Sequence, residues 1–221
     1  MVKRLLELFC GTKSVGNVFK QDGYDVVSLD YNSEFDATHT ADILTWDYTQ
    51  YAPDYFDVIW ASPDCTTWSI ATGGKYRTKA EIYGIKNERY EKSVIGNKMV
   101  NRVIEILKYF NAKSWFIENP RGLMAYYPPL IDFINETEAS KNLVYYGNYN
   151  NWGYPKPTNI WSNQKMWDNE KMPEFTEDQY VVVYHTYNKR PKRYYNAFRN
   201  GDARSRSKIP PDLIKRLKAL V

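Results

Sequence analysis

The sequence predicts an α/β fold of the doubly wound type, a mostly parallel sheet with helices on both faces, from three observations. Short runs of Val, Ile, Leu and Phe recur between turn residues: "RLLELF" (4–9), "YDVVSLD" (24–30), "FDVIWASP" (56–63) and "SWFIENP" (114–120). A strand covered on both faces must be apolar at nearly every position, which is the condition inside a parallel sheet. Between the third and fourth runs, Met99, Val103, Ile106, Leu107 and Phe110 recur at helical spacing within 94–110. That pattern predicts an amphipathic crossover helix. Finally, 221 residues with 43% hydrophobic and 16% aromatic content suffice to bury the core of one domain, 1–221.

Taken in order, the first run leads into a turn holding Gly11 and Gly16. The second ends on Asp30, the third on Ser-Pro and the fourth on Glu-Asn-Pro. After residue 140 the pattern loosens. "NLVYYGNY" and "QYVVVYHTY" read as strands, "WGYPKPTNIWSN" between them as a Pro-rich turn segment, and "PPDLIKRLKALV" as a short helix opened by proline. There is no internal repeat or low-complexity linker.

Composition narrows the function classes. Cys10, Cys65, His39 and His185 are the only residues of their types, and their spacing suits neither a zinc site nor a disulfide framework. The expectation is a metal-free protein in a reducing, intracellular setting. The N-terminal apolar run is broken by Glu7, and no stretch approaches the roughly 18 apolar residues of a membrane span. Neither secretion nor a membrane anchor is expected. Charge is uneven: residues 186–221 carry eleven Lys or Arg against Asp202 and Asp212, so this tail is +9 and the remainder −5. With Tyr187, Tyr194, Tyr195 and Phe198 interleaved, the tail reads as a phosphate-binding face with stacking groups, or as a solvated basic terminus. Twenty tyrosines and a mean hydropathy of −0.64 imply a polar-aromatic surface suited to bases.

In a doubly wound sheet, ligands bind beyond the carboxyl ends of the strands. Here those ends carry Gly11, Asp30, Cys65 and Glu118. The glycine loop "FCGTKSVG" is not G-x-G-x-x-G, and taken alone it is equally a structural turn. Asp30, 19 residues after Gly11, sits where a carboxylate accepts both hydroxyls of a ribose. No phosphate-binding P-loop is present. A cysteine is most often an inert buried side chain, but Cys65 follows a strand end and a proline, with Thr66, Thr67 and Ser69 beside it. Glu118 closes the next apolar strand, where it serves either as the cap of a helix starting at Pro120 or as an acid. A thiol and a carboxyl on neighbouring strand ends form a nucleophile and acid/base pair.

These motifs, in this order, resemble the S-adenosylmethionine-dependent DNA cytosine-5 methyltransferases, most of all their compact phage-type members. "LELFCGTKSVG" matches the cofactor loop, "SLD" the ribose acid and "ADIL" the adenine contact. "SPDC" matches the nucleophile loop and "FIENP" the glutamate motif; "KPTNIWSN" and "RSKIPPDLIKRL" look like later structural segments. The resemblance implies a Rossmann-like class I methyltransferase fold and S-adenosylmethionine bound by Phe9, Gly11, Asp30, Asp42, Ile43 and Pro63. It implies Cys65 as the nucleophile and Glu118 as the group holding the cytosine ring. The partner would be DNA, as a duplex with a flipped base or single-stranded, in the cytoplasm of a bacterial or phage-infected cell. Contacts to DNA would fall to Arg121, Lys189, Arg190, Lys192, Arg193, Arg204 and Arg206, with about 165–205 a reduced target-recognition segment.

Several departures accompany the likeness. Asp64 replaces the second proline of the nucleophile loop, and a carboxylate there raises the thiol pKa. The region before "KPTNIWSN" has no Gln-x-Arg-x-Arg, leaving Arg121 as the substitute cation, and the terminal Gly-Asn motif is missing. Two other classes remain open. One is an amino-methyltransferase acting on N4 of cytosine or N6 of adenine, whose loop shares Ser-Pro but ends in an aromatic residue. The other is a nucleic-acid-binding protein of the same fold without turnover. RNA or free nucleotides are further substrate choices, against which the basic tail favours a polymer.

Overall fold

The structure, a computed structural model, describes residues 2–69, 91–150, 154–175 and 207–221, and the backbone of 180–184 and 191–195. The chain runs β1 (Arg4–Leu8), α1 (Ser14–Gln21), β2 (Asp25–Asp30), β3 (His39–Thr40), β4 (Val58–Ala61), α2 (Glu91–Phe110) and β5 (Ser114–Pro120). It continues through α3 (Pro128–Glu136), β6 (Ser140–Tyr145), β7 (Pro157–Ser162), the antiparallel pair β8 (Tyr180–Tyr184) and β9 (Pro191–Tyr195), and α4 (Pro211–Lys218). Among these, seven strands form one sheet in the order β3-β2-β1-β4-β5-β7-β6. The pairs from β3 through β5 are parallel, and β7 runs antiparallel to both its neighbours.

The expected mostly parallel α/β sheet is borne out, and the apolar runs explain it. Side chains alternate across a strand, so each run feeds two cores. Leu6, Leu8, Ile59, Ala61, Trp115 and Ile117 point to one face, against Val103, Ile106 and Phe110 of α2 and Leu130 and Phe133 of α3. Leu5, Val58, Trp60, Phe116 and Ile160 point to the other, against Val18 and Phe19 of α1 and Leu213, Ile214 and Leu217 of α4. Trp60 and Phe116 stack across β4 and β5 with ring centroids 5.5 Å apart. Each such fully buried side chain contributes about 1.5–3 kcal/mol.

One expectation needs correcting. The segment read as a Pro-rich turn contains β7, an interior strand paired with β5 and β6. Pro157 is its first residue, a position where proline is tolerated in a sheet, and Thr158 to Ser162 are all buried. The crossover helix starts at Glu91, three residues before the apolar period becomes visible. "NLVYYGNY" forms β6 only as far as Tyr145, after which Tyr146–Asn148 turn. Of "QYVVVYHTY", β8 covers Tyr180–Tyr184, and 185–187 lie outside the described residues. Pro120 belongs to β5, so Glu118 caps no helix there. Among the described residues, no helix is long and apolar enough to cross a membrane.

The turn from β1 into α1 is held by a strand residue. Its N-cap, Lys13, is left-handed and gives no side-chain cap; instead Glu7 of β1 accepts from the amides of Val15 (3.3 Å) and Gly16 (3.1 Å). A carboxyl group there satisfies orphan donors and faces the positive end of the helix dipole. A Cβ at Gly16 would come to 2.5 Å from Glu7 Oε2, so a side chain there would push the carboxyl off these amides. Burial still outweighs these bonds and raises the Glu7 pKa to about 8 from 4.5.

A carboxyl whose folded pKa is raised favours folding most when it is protonated. Its contribution is complete below the unfolded value near 4.5 and is lost as pH rises through about 8. Urea unfolding of wild type should therefore weaken across that window, by on the order of a few kcal/mol. Glu7→Gln should flatten this decline; an unchanged slope would mean that Glu7 is ionised in the folded protein.

Candidate active site

Register brings the site together. Leu29, Leu8, Ala61 and Ile117 are successive partners across β2, β1, β4 and β5. The next residues along each chain, Asp30, Phe9, Ser62 and Glu118, thus come out together at the carboxyl edge of the sheet. Asp30 closes β2 with both oxygens engaged: Gly11 N donates to Oδ2 (2.9 Å) and Asn32 N to Oδ1 (3.0 Å). The loops after β1 and β2 are tied together by this carboxylate. Gly11 has φ +47°, a conformation glycine adopts without strain, and a Cβ there would meet no protein atom within 4 Å.

After β4 the chain passes through Ser62 and Pro63 to Asp64 and Cys65. Asn119 of β5 donates its amide to the Pro63 carbonyl (2.8 Å), anchoring the loop to the strand that carries Glu118. Beyond the thiol, the Cys65 carbonyl accepts from Trp68 N and Ser69 N, a tight turn. Trp68 is buried against Tyr127. Its carbonyl accepts from Leu123 N (2.7 Å), and Ser69 forms a bridge with Gly122. The cysteine is therefore fixed on one side to β5 itself and on the other to the segment that follows it.

Glu118 is buried, and Tyr146 Oη donates to its Oε1 at 2.8 Å. The Ser62 hydroxyl also bonds it while accepting from Trp60 Nε1 (2.8 Å). Lys156 stands nearby with its ammonium 4.4 Å from the centre of the Tyr146 ring. Burial pushes the Glu118 pKa up, against the pull of Lys156, Tyr146 and Ser62. Burial also pushes the Cys65 thiol up to about 11, followed by Glu118 and then Asp64; Lys156 opposes the rise. The effect expected of Asp64 is present, but it ranks behind burial and Glu118. Cys10 is also a free thiol and is raised to about 12, chiefly by burial.

Two cavities flank this edge. One, about 200 Å³, is lined by Cys65, Glu118, Lys156, Glu7, Gly11 and Pro63 among others. The second, about 220 Å³, lies over the opposite face of the sheet and is lined by Asp30, Asp42, Ile43, Leu29, Tyr31 and Met99 of α2. Phe9 lines both. All six residues predicted for the cofactor thus line one cavity or the other, and the thiol and acid line the first.

The structure does not bring Arg121 to either cavity. It is exposed, and its backbone amide donates to the Pro157 carbonyl; among the described residues, Lys156 is the cation that lines the first cavity. Lys189, Arg190, Arg204 and Arg206 lie outside the described residues, and Lys192 and Arg193 are placed only as backbone on β9, opposite Val183 and Val182. Sequence reasoning missed Lys156, Tyr146 and Glu7. Lys156 had one visible signal, a lone cation between two prolines. No group of three or more His, Cys, Asp or Glu among the described residues is arranged to hold a metal ion.

No family model matches the chain. A Frog virus 3 (isolate Goorha) protein described as "Probable DNA (cytosine-5)-methyltransferase" is 33% identical over 169 residues, covering 72% of this chain and 70% of the viral one. Two solved structures share the fold: the Entamoeba histolytica methyltransferase EhMeth (TM-score 0.53, 12% identity, 82% of this chain) and an E. coli "putative DNA modification methyltransferase encoded within prophage" (TM-score 0.51, 13% identity, 78%). The chain spans 63% and 51% of their respective lengths.

An alanine Cβ at Gly122 would approach the Trp68 carbonyl to 2.2 Å, so the exit of the cysteine loop tolerates no side chain there. Gly122→Ala should cost about 1–3 kcal/mol by overpacking and alter the rate at which Cys65 is alkylated. Wild-type stability and an unchanged alkylation rate would show that the two segments are not clamped.

Proposed function

The chain belongs to the DNA (cytosine-5)-methyltransferase family, and on that premise we propose that it methylates carbon 5 of cytosine in DNA through a covalent Cys65 adduct, with S-adenosylmethionine as methyl donor. The observation that carries the reading is the lining of one cavity by Cys65 and Glu118 at the ends of adjacent strands. An amino-methylating reading would leave the buried Glu118 carboxyl without a task.

The second cavity suits the donor's nucleoside. It combines apolar walls from Leu29, Ile43 and Met99 with the Asp30 carboxylate at its edge, and each Asp30 oxygen keeps a lone pair beyond its amide bond. The space a Cβ would fill at Gly11 is open to the reactive end of the ligand. When bound, S-adenosylmethionine supplies an electrophilic methyl group.

Carbon 5 of cytosine is a poor nucleophile. The Cys65 thiolate adds at carbon 6, forming an S–C bond and making an enamine whose carbon 5 is nucleophilic. Glu118 holds N3 and the exocyclic amine as charge develops there, with Tyr146 and Ser62 fixing the carboxyl. After carbon 5 is methylated, a base removes its proton and the S–C bond breaks, returning Cys65. Because the reacting carbons are stacked inside a duplex, the base must be flipped out or offered single-stranded. The basic residues Lys189, Arg190, Lys192, Arg193, Arg204 and Arg206, in and just beyond the segment of about 165–205, contact phosphates in this reading and supply little base readout.

Methyl transfer to mixed DNA, followed by nucleoside analysis, should yield 5-methylcytosine. A fluorine at carbon 5 cannot leave as a proton, so the enzyme should stay attached to 5-fluorocytosine DNA, and Cys65→Ser should abolish the adduct. Glu118→Gln should slow the chemistry by a factor on the order of 100 or more. Full activity of Cys65→Ser would reduce the thiol to a packing role.

Asp30→Ala should weaken S-adenosylmethionine binding by about 1.5–3 kcal/mol in calorimetry. Unchanged affinity would remove Asp30 from the cofactor site.

A further inference from the structure

The cavity that holds Cys65 has more acidic groups than basic ones. Its described lining carries three carboxyl groups, Glu7, Asp64 and Glu118, and one cation, Lys156. A thiolate formed there is disfavoured first by burial and then by the Glu118 and Asp64 carboxyls, which makes the position of that cation consequential.

Lys156 is held firmly in place. It lies between Pro155 and Pro157 with φ +37°, a left-handed conformation that costs a residue with a Cβ energy and persists only where the surroundings impose it. Its carbonyl accepts from Tyr146 N (3.3 Å) and Thr158 Oγ1 (3.2 Å). Its ammonium sits over the ring of Tyr146, whose hydroxyl binds Glu118. One aromatic side chain therefore locates both the lysine and the acid relative to the cysteine.

We propose that Lys156 is the counter-ion of the Cys65 thiolate, a positioning residue that sets how readily the nucleophile ionises; this rests on the reading of Cys65 as nucleophile. The groups facing the thiol divide by element. Asp64 on its own loop and Glu118 from β5 oppose ionisation; Glu7 and Cys10 lie on the β1 side of the same cavity; Tyr146 lies behind Glu118; Lys156, from the turn before β7, favours ionisation. The thiol proton leaves to solvent through the open cleft, and the ammonium faces the charge left on sulfur. Burial and Glu118 act on the lysine in opposite senses, burial lowering its pKa and the carboxyl raising it, so Glu118 also helps keep it charged.

The test is the pH profile of Cys65 alkylation by iodoacetamide, in which an S–C bond forms and iodide leaves. Peptide mass spectrometry separates Cys65 from Cys10, and thermal unfolding of each variant checks the fold. Lys156→Met should move the Cys65 midpoint up by about one pH unit or more, equivalent to about tenfold slower alkylation below the midpoint, while Lys156→Arg should stay near wild type. Removing the lysine alone leaves Glu118 buried with less compensation, which endangers folding. Glu118→Gln is therefore compared with the double variant Glu118→Gln/Lys156→Met, and the same upward shift is expected. Superposed profiles in both comparisons, or an arginine variant shifted as far as the methionine one, would overturn the proposal. Methyl transfer provides a second arm, in which the rising limb of kcat against pH should shift up with Lys156→Met. If the wild type transfers no methyl group to cytosine, the functional reading fails, while the alkylation profiles still decide the role of Lys156.

Discussion

Glu118 is the constraint around which this end of the molecule is arranged. A carboxyl near the carboxyl end of β5, 7% exposed, has lost most of its water, and that loss is costly unless protein donors replace it. Tyr146 and Ser62 do so, and Ser62 is itself oriented by Trp60 from the core. The next residue, Asn119, bonds the Pro63 carbonyl. Two consecutive side chains of β5 thus serve opposite ends of one device, the acid and the loop that presents the thiol.

Parallel strands make this arrangement economical, because every one of them releases its chain at the same edge. The register from β2 to β5 aligns Asp30, Phe9, Ser62 and Glu118 without any long-range loop to position them. Alternation across the sheet then divides the edge into two cavities, one above each core, with Phe9 shared. A donor seated on one side and an acceptor on the other would meet over the end of β1. The antiparallel β7 adds what the parallel part cannot. It enters the sheet beside β5 from the opposite direction, so the residue preceding its first position, Lys156, arrives at the edge where β5 ends.

Legibility in the sequence followed the same physics. The four apolar runs announced β1, β2, β4 and β5 because strands covered on both faces cannot hide polar residues, and the exceptions at their ends were the site. β7 was concealed by Pro155 and Pro157, which signal a turn locally although the rest of the strand is buried. Helix α1 lacked a cap in its own sequence because its cap, Glu7, comes from β1 across a turn. Tyr146 lies in a run that reads only as a strand, since nothing in a tyrosine's neighbours along the chain says that its hydroxyl will meet a carboxyl 28 residues away in sequence. Lys156 became meaningful only once β7 lay beside β5.

A thiol at about 11 is ionised at neutral pH on the order of one part in ten thousand. Such a cysteine is slow to react with stray electrophiles and oxidants, which attack the thiolate. The scarce thiolate is intrinsically the stronger nucleophile, because nucleophilicity rises with pKa. Glu118 is subject to the same burial. Burial raises its pKa against the pull of Lys156, Tyr146 and Ser62, so a carboxylate beside the sulfur is stabilised there by a cation and two hydroxyl donors. The same burial thus opposes negative charge on both the thiol and the acid, and the cation before β7 offsets part of that cost at each of them.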